Sequence, residues 1–199
     1  ISLDNCLFAL RYPLWHVDKF NMNKCEMEET CRAGIWYSNN FFINDTIING
    51  VKAVRECNNG VIENSNIISV EFGWKCNFIT LTSSELVSEY AFLDSKNIKL
   101  NNVKFKGKYS FQYVEGLEIY NSILDTKDAF WHAKNVKVVS SVIKGEYLGW
   151  YSENLTLINC KIIGTQPLCY CTNLTMIDCE MVDINFSFEY LSVNATIRG

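Results

Sequence analysis

Ten polar or ionisable side chains recur at one place along this chain: His16, Tyr37, Glu56, Lys75, Asp94, Tyr113, His132, Tyr151, Tyr170 and Glu189. Successive members are 19 residues apart after a first step of 21. Carboxylates and imidazoles held in register are the residue types that exchange protons with a substrate. Glu56 and Asp94 lie two steps apart. If each step is one strand spacing, their backbones are roughly 9.6 Å apart. That is near the upper end of the ~6.5–9.5 Å carboxyl separation of inverting glycoside hydrolases. Asp128 precedes His132 by four residues and could support it as a base. The candidate catalytic residues are Glu56, Asp94, Asp128 and His132.

Two flanking series carry rings and charges. One residue earlier stand Trp15, Trp36, Arg55, Trp74, Trp131 and Trp150. A second stripe holds Tyr12, Lys52, Glu71, Tyr90, Tyr109, Asp128 and Tyr147. Flat rings stack on sugar faces, while carboxylates and cations hydrogen-bond sugar hydroxyls. The candidate binding residues are Arg55, Glu71, Lys75, Tyr90, Tyr109, Tyr113, Trp131 and Tyr151. The partner this surface suits is a polysaccharide or oligosaccharide, bound or processed in a groove. The alternative is a non-catalytic scaffold that presents a surface to proteins. Glu56, Lys75 and Asp94 alternate in sign, as a salt-bridge ladder would, and Tyr113, His132 and Tyr151 suit a stacked column. A groove predicts exposed Trp rings beside the acidic stripe; a scaffold predicts buried ones.

These series exist because the whole chain repeats. Large apolar residues fall at Leu3, Met22, Ile43, Ile62, Leu81, Leu100, Ile119, Val138, Leu157 and Met176. Each opens a unit, and the residue there is called position one. Position six is apolar as well, and position four is small, from Cys6 and Cys25 through Ser122 to Cys179. Position three is turn-forming, with Asn, Asp or Ser in nine of ten units. The ionisable series is position fourteen, the Trp series thirteen, and fifteen is small and inward. Positions eleven and twelve share one large residue per unit, from Leu14 to Phe186. Strict alternation would bury position thirteen, but Arg55 and Gln112 occupy it; a bulge there would turn both thirteen and fourteen outward.

Period-two runs broken by Asn, Ser and Gly predict about three short strands per unit and no helix. One unit cannot bury its apolar face, so units must stack with strands in parallel, about 4.8 Å apart. The expectation is an all-β, single-stranded parallel β-helix of ten coils, one domain over residues 1–199. Units such as NLTLINCKIIGTQPLCYC and NVKVVSSVIKGEYLGWYS resemble the right-handed β-helix superfamily that includes pectate lyases. The whole chain most resembles an uncharacterised bacterial β-helix family. The resemblance implies right-handed winding, as parallel crossovers generally show, and implies no activity. The paired aspartates and Gly-His-Gly of polygalacturonases are absent. Arg11-Tyr12-Pro13 echoes the arginine segment of the lyases only faintly.

Composition narrows the rest. A formal net charge of -4 over 199 residues argues against a nucleic-acid partner. No apolar run reaches the ~18 residues of a membrane span. No secretory leader is visible, which together with an odd number of cysteines, nine, points to a reducing compartment and a cytoplasmic location, although vertical neighbours such as Cys57 and Cys76 could approach closely enough to pair. Seven of the nine sit in the small inward columns, and Cys169-Tyr170-Cys171 lacks zinc spacing, so neither metal nor cofactor is expected. Neither end carries a polar cap, which predicts a portion of a longer rod or a homo-oligomer joined end to end or side by side.

Overall fold

The computed structural model describes residues 1–198. The fold is a parallel β-helix without a helix among the described residues. Each coil contributes a long strand, such as Asn58–Glu63, and a short one, such as Asn66–Ile68. Every strand pairs in parallel with its equivalent one coil away. The register follows the sequence period: Ile62 faces Ile43 and Leu81, and Ile67 faces Ile48 and Leu86. Positions one and six form two inward columns, fully buried from Met22 and Met27 onward through Leu157 and Ile162.

Corners set the shape. All ten position-three residues, from Asn5 (φ 52°) to Asp178 (φ 53°), have left-handed backbone. So do nine of ten at position fourteen, from His16 (φ 56°) to Tyr170 (φ 60°). A left-handed residue ends a strand's alternation and turns the chain. The turn also aims the next backbone N–H inward, where a small polar side chain from the following coil accepts it. Val103 N–H donates to Ser122 Oγ (3.0 Å), and Ser122 Oγ donates to the Tyr120 carbonyl (2.7 Å). Position fifteen repeats the device: Cys76 N–H donates to Ser95 Oγ (3.0 Å), which donates to the Gly73 carbonyl (2.6 Å). Cysteine substitutes in the same role, as where Cys57 N–H reaches Cys76 Sγ (3.4 Å). Burial holds the Cys171 thiol up at about 11, so it stays a donor to the Gly149 carbonyl.

Two expectations change. A third strand forms only in the first three coils, as Leu14–Trp15, Ile35–Trp36 and Val54–Arg55. There position twelve is Leu, Ile or Val. In later coils Phe92, Phe111 and Phe130 take left-handed backbone at that position (φ 57°, 61° and 57°) and interrupt the extended run. The β-branched residues resist that conformation. The shared inward hole is filled as expected from Leu14 to Leu168, and Phe92, Phe111 and Phe130 stack there. Phe186 is instead 63% exposed. Its own backbone is left-handed (φ 46°), one position before the left-handed Phe92, Phe111 and Phe130, and this turns the ring outward.

Ser122→Ala leaves the buried Val103 N–H without its acceptor, while the Tyr120 carbonyl keeps the Asn102 N–H, and is expected to cost about 1–3 kcal/mol. Ser122→Cys keeps a donor and acceptor and should cost less. Urea unfolding of the two variants checks this order.

Candidate functional site

The left-handed corner at position fourteen resolves the direction of the Trp series. Positions thirteen and fourteen both lie on the outer side, the buried Cys169 excepted, and fifteen returns to the core, with Ser38, Cys57, Cys76 and Ser95 buried. The Trp rings are neither buried nor free. Trp15 is 56% exposed, while Trp36, Trp74, Trp131 and Trp150 are half-buried. Most are tied to the next coil: Trp131 Nε1 donates to the Tyr147 carbonyl (2.9 Å) and Trp150 Nε1 to the Gln166 carbonyl (2.9 Å). Trp74 does the same to Tyr90, and Gln112 Nε2 to Asp128 (3.4 Å). A planar donor at thirteen therefore latches the carbonyl of position ten above it.

Two regions follow along this face. In the upper one Tyr113, His132, Tyr151 and Tyr170 stack in sequence, with centroids 5.0, 5.2 and 5.1 Å apart and planes within 16°. Beside them Trp131 and Trp150 lie parallel, 5.8 Å apart and tilted by 5°. Both indoles stand nearly perpendicular to Tyr151, at 82° and 87°. A floor of indoles thus meets a wall of stacked rings near a right angle. Tyr147 closes the floor edge-on against Trp150 (5.0 Å). Tyr109 and Tyr90 stack on each other at 5.3 Å on the same flanking stripe.

Asp128 lies between Tyr109 and Tyr147 in that stripe and is only 7% exposed. No hydrogen bond or ion pair to its carboxylate is formed among the described residues, His132 included. Burial raises its pKa, helped by Glu146, while Lys127 and Lys108 pull it down. A partly desolvated carboxyl of this kind can hold a proton at higher pH than its neighbours.

The lower region is a charged cluster. Arg55 pairs with Glu56 (3.2 Å) and Glu71 (3.4 Å), and Lys52 pairs with Glu71 (3.5 Å). The guanidinium sits between two indoles, 5.9 Å from Trp36 and 5.3 Å from Trp74. Partial burial raises the Glu56 pKa, but hydrogen bonds from Arg55 and Tyr37 outweigh it and hold the carboxyl below its ordinary value. A depressed, ion-paired carboxylate suits hydroxyl binding better than proton donation. Lys75 and Asp94 stand on the two following coils, both exposed and without an ion pair among the described residues. The sign-alternating ladder expected of Glu56, Lys75 and Asp94 is therefore not formed, because Arg55 takes Glu56 sideways. Vertical ladders form in other columns, as Lys96–Glu115 (3.0 Å) and Lys134–Glu153 (3.1 Å).

The candidates divide accordingly. Glu56, Glu71 and Arg55 come together; Tyr113, Trp131, His132 and Tyr151 come together; Asp94 lies between the two groups. Residue type at position ten does not encode the latching of indole N–H groups, because the acceptor is a backbone carbonyl, that of Tyr90, Tyr147 or Gln166. No group of three or more metal-ligating side chains converges among the described residues.

A model for the family described as "Protein of unknown function (DUF3737)" matches residues 1–199. The chain belongs to this family. No curated protein matches the chain. Among solved structures, a tailspike protein of E. coli bacteriophage HK620, in complex with a hexasaccharide, is similar at 8% identity and TM-score 0.45. The match covers 90% of this chain and 46% of that one, so this chain spans about half the tailspike's length. PfbA, a surface adhesin of Streptococcus pneumoniae, is similar at 12% identity and TM-score 0.42, covering 90% and 70% of the two chains. The A-module of mannuronan C-5 epimerase AlgE4 of Azotobacter vinelandii is similar at 9% identity and TM-score 0.34, covering 92% and 65%.

Replacing Arg55 with Gln removes the charge that outweighs burial at Glu56. The Glu56 carboxyl should then titrate at higher pH than in the parent protein, read by carboxyl-carbon NMR. The parent's depressed pKa stabilises the fold above the unfolded-state value, and that contribution fades as pH falls through the folded value; the variant should lack it.

Proposed function

We propose that this face binds an extended carbohydrate, held in the trough between the Trp131–Trp150 floor and the Tyr113–His132–Tyr151–Tyr170 wall. The right-angle meeting of indoles and stacked rings carries the reading. Rings stacked along the axis present their edges, hydroxyls and imidazole nitrogens outward, where sugar hydroxyls can be met. Half-exposed indoles offer apolar surface to a pyranose face. The indoles are pre-positioned by their bonds to backbone, so little side-chain entropy is lost on binding. Glu56, Glu71, Arg55 and Lys75 extend a polar track for hydroxyls down the rod. In this reading the cell compartment is cytoplasmic, which the odd number of cysteines favours.

One observation favours processing in addition to binding. Asp128 is a buried, unpaired carboxyl with a raised pKa at the trough's edge. Such a group could serve as an acid, with His132 and the distant carboxylates Asp94 and Glu56 as the other candidates. A scaffold that binds proteins is the competing reading; it leaves the unpaired Asp128 and the open trough without a role.

Tyr151 is 47% exposed, so Tyr151→Ala should fold normally. It is expected to weaken a polysaccharide found by glycan-array screening by about tenfold, or ~1.4 kcal/mol. An array without any bound glycan would sink the reading. If glycan is cleaved, Asp128→Asn should abolish cleavage and keep binding.

A further inference from the structure

On another face, position seventeen carries an amide ladder with a missing rung. Between Lys19 and Ser192 its residues are Asn40, Asn59, Phe78, Asn97, Gly116, Asn135, Asn154 and Asn173, all with left-handed backbone. Each amide donates toward the preceding coil. Asn59 Nδ2 reaches Asn40 Oδ1 (3.2 Å), Asn154 reaches Asn135 (2.9 Å), and Asn173 reaches Asn154 (2.7 Å). Asn97 Nδ2 turns sideways to Asn77 Oδ1 (2.9 Å), because Phe78 stands beneath it. At Gly116 the side chain is absent. Asn97 Oδ1 is left without a donor from above, and Asn135 Nδ2 without an acceptor from below, among the described residues. Oδ1 of Asn97 leans into the space, 3.2 Å from where a Cβ on Gly116 would sit.

The gap opens into a concavity of about 560 Å³ lined by Phe78, Asn97, Gly116, Asn135, Lys99 and Lys137. Phe78 is 55% exposed, an aromatic ring in a column that from Asn40 to Asn173 is otherwise built of Asn and Gly. Neither Lys99 nor Lys137 is in an ion pair among the described residues. Coils are spaced about 4.8 Å apart, so the unpaired acceptor and donor are about 9.6 Å apart along the axis at backbone level. One amide placed between them restores the ladder, its N–H pointing to Asn97 Oδ1 and its C=O to Asn135 Nδ2. A hydroxyl is too short to reach both, and an amine or carboxylate supplies only one of the two functions.

We infer that this notch binds the acetamido group of an N-acetylated hexosamine, with the sugar ring against Phe78 and its hydroxyls within reach of Lys99 and Lys137. A pyranose carries its apolar face next to the acetamido substituent, which matches an exposed ring one step from an amide gap. The site lies apart from the aromatic trough and does not depend on it.

The test compares tetra-N-acetylchitotetraose with cellotetraose, which has hydroxyls in place of the acetamido groups. Binding is followed by titration calorimetry and by the side-chain amide signals of Asn97 and Asn135. The acetylated ligand should bind at least about tenfold more tightly, as for the loss of ~1.4 kcal/mol, and shift both amides. Gly116→Asn supplies the missing rung with a residue this column already tolerates in left-handed backbone. It should leave thermal stability equal or higher and abolish binding. Phe78→Asn should weaken binding and also keep the fold, whereas Tyr151→Ala should leave it unchanged. Equal affinity for the two sugars, no binding of the acetylated one, or undiminished binding by folded Gly116→Asn would each overturn the inference.

Discussion

The structure depends on one recurring arrangement: a left-handed corner followed by a small inward side chain that takes up the backbone N–H the corner has misdirected. A corner of this kind would leave a buried donor without a partner in every coil. Such an orphan costs about 1–3 kcal/mol, and one at each of the nineteen corners would exceed the whole stability of a typical domain. Hydroxyls and thiols at positions four and fifteen remove that cost where they stand in the next coil, and at Val114, Ala133 and Ser152 a carbonyl three residues back accepts instead. Ser65, Ser84 and Ser122 each accept from the preceding coil and donate within their own. Cysteine fills the same columns because it is small and apolar enough for the core and still carries a weak S–H donor. The nine cysteines, all free, belong to packing and hydrogen bonding before any redox chemistry.

Once corners are placed, every outer side chain has vertical neighbours of the same position at one coil spacing. Surface chemistry is therefore written in columns. Lysine over glutamate, tyrosine over histidine and asparagine over asparagine each satisfy the spacing. Exposed ion pairs such as Lys104–Glu85 contribute little individually. Their value here lies in avoiding like charges stacked in register. Columns that break their own pattern are the informative ones. Arg55 replaces a Trp and gathers two carboxylates between two indoles. Asp128 replaces a Tyr and is left buried and unpaired. Gly116 and Phe78 interrupt the amide ladder and open a notch.

The interior also shows how one fold accepts variation without losing register. The hole between positions eleven and twelve is filled by Phe72 beside left-handed Gly73, or by Phe92 on left-handed backbone of its own. A Cβ on Gly73 would collide with the Phe92 ring at 2.5 Å, so the glycine and the ring above it are linked choices. Close packing of stacked Phe92, Phe111 and Phe130 then fixes the bend at that corner.

The period, the inward columns at one, four, six and fifteen, and the solvent position of fourteen were legible in the sequence. Parallel in-register stacking turns a linear repeat into vertical columns, so residue type alone reports burial. Even the identity of the hole-filling residues was readable from Leu14 to Leu168. The direction of the Trp series was not, because alternation fails at a left-handed residue, and bulky Tyr, His and Lys do not advertise that conformation. The loss of the third strand, the outward turn of Phe186 and the sideways pairing of Arg55 with Glu56 have the same origin. Each depends on a backbone torsion or a lateral neighbour that the 19-residue spacing does not encode. Residue spacing alone places side chains in a common column; which columns share a face follows from the folded corners, because only they set the angle between strands.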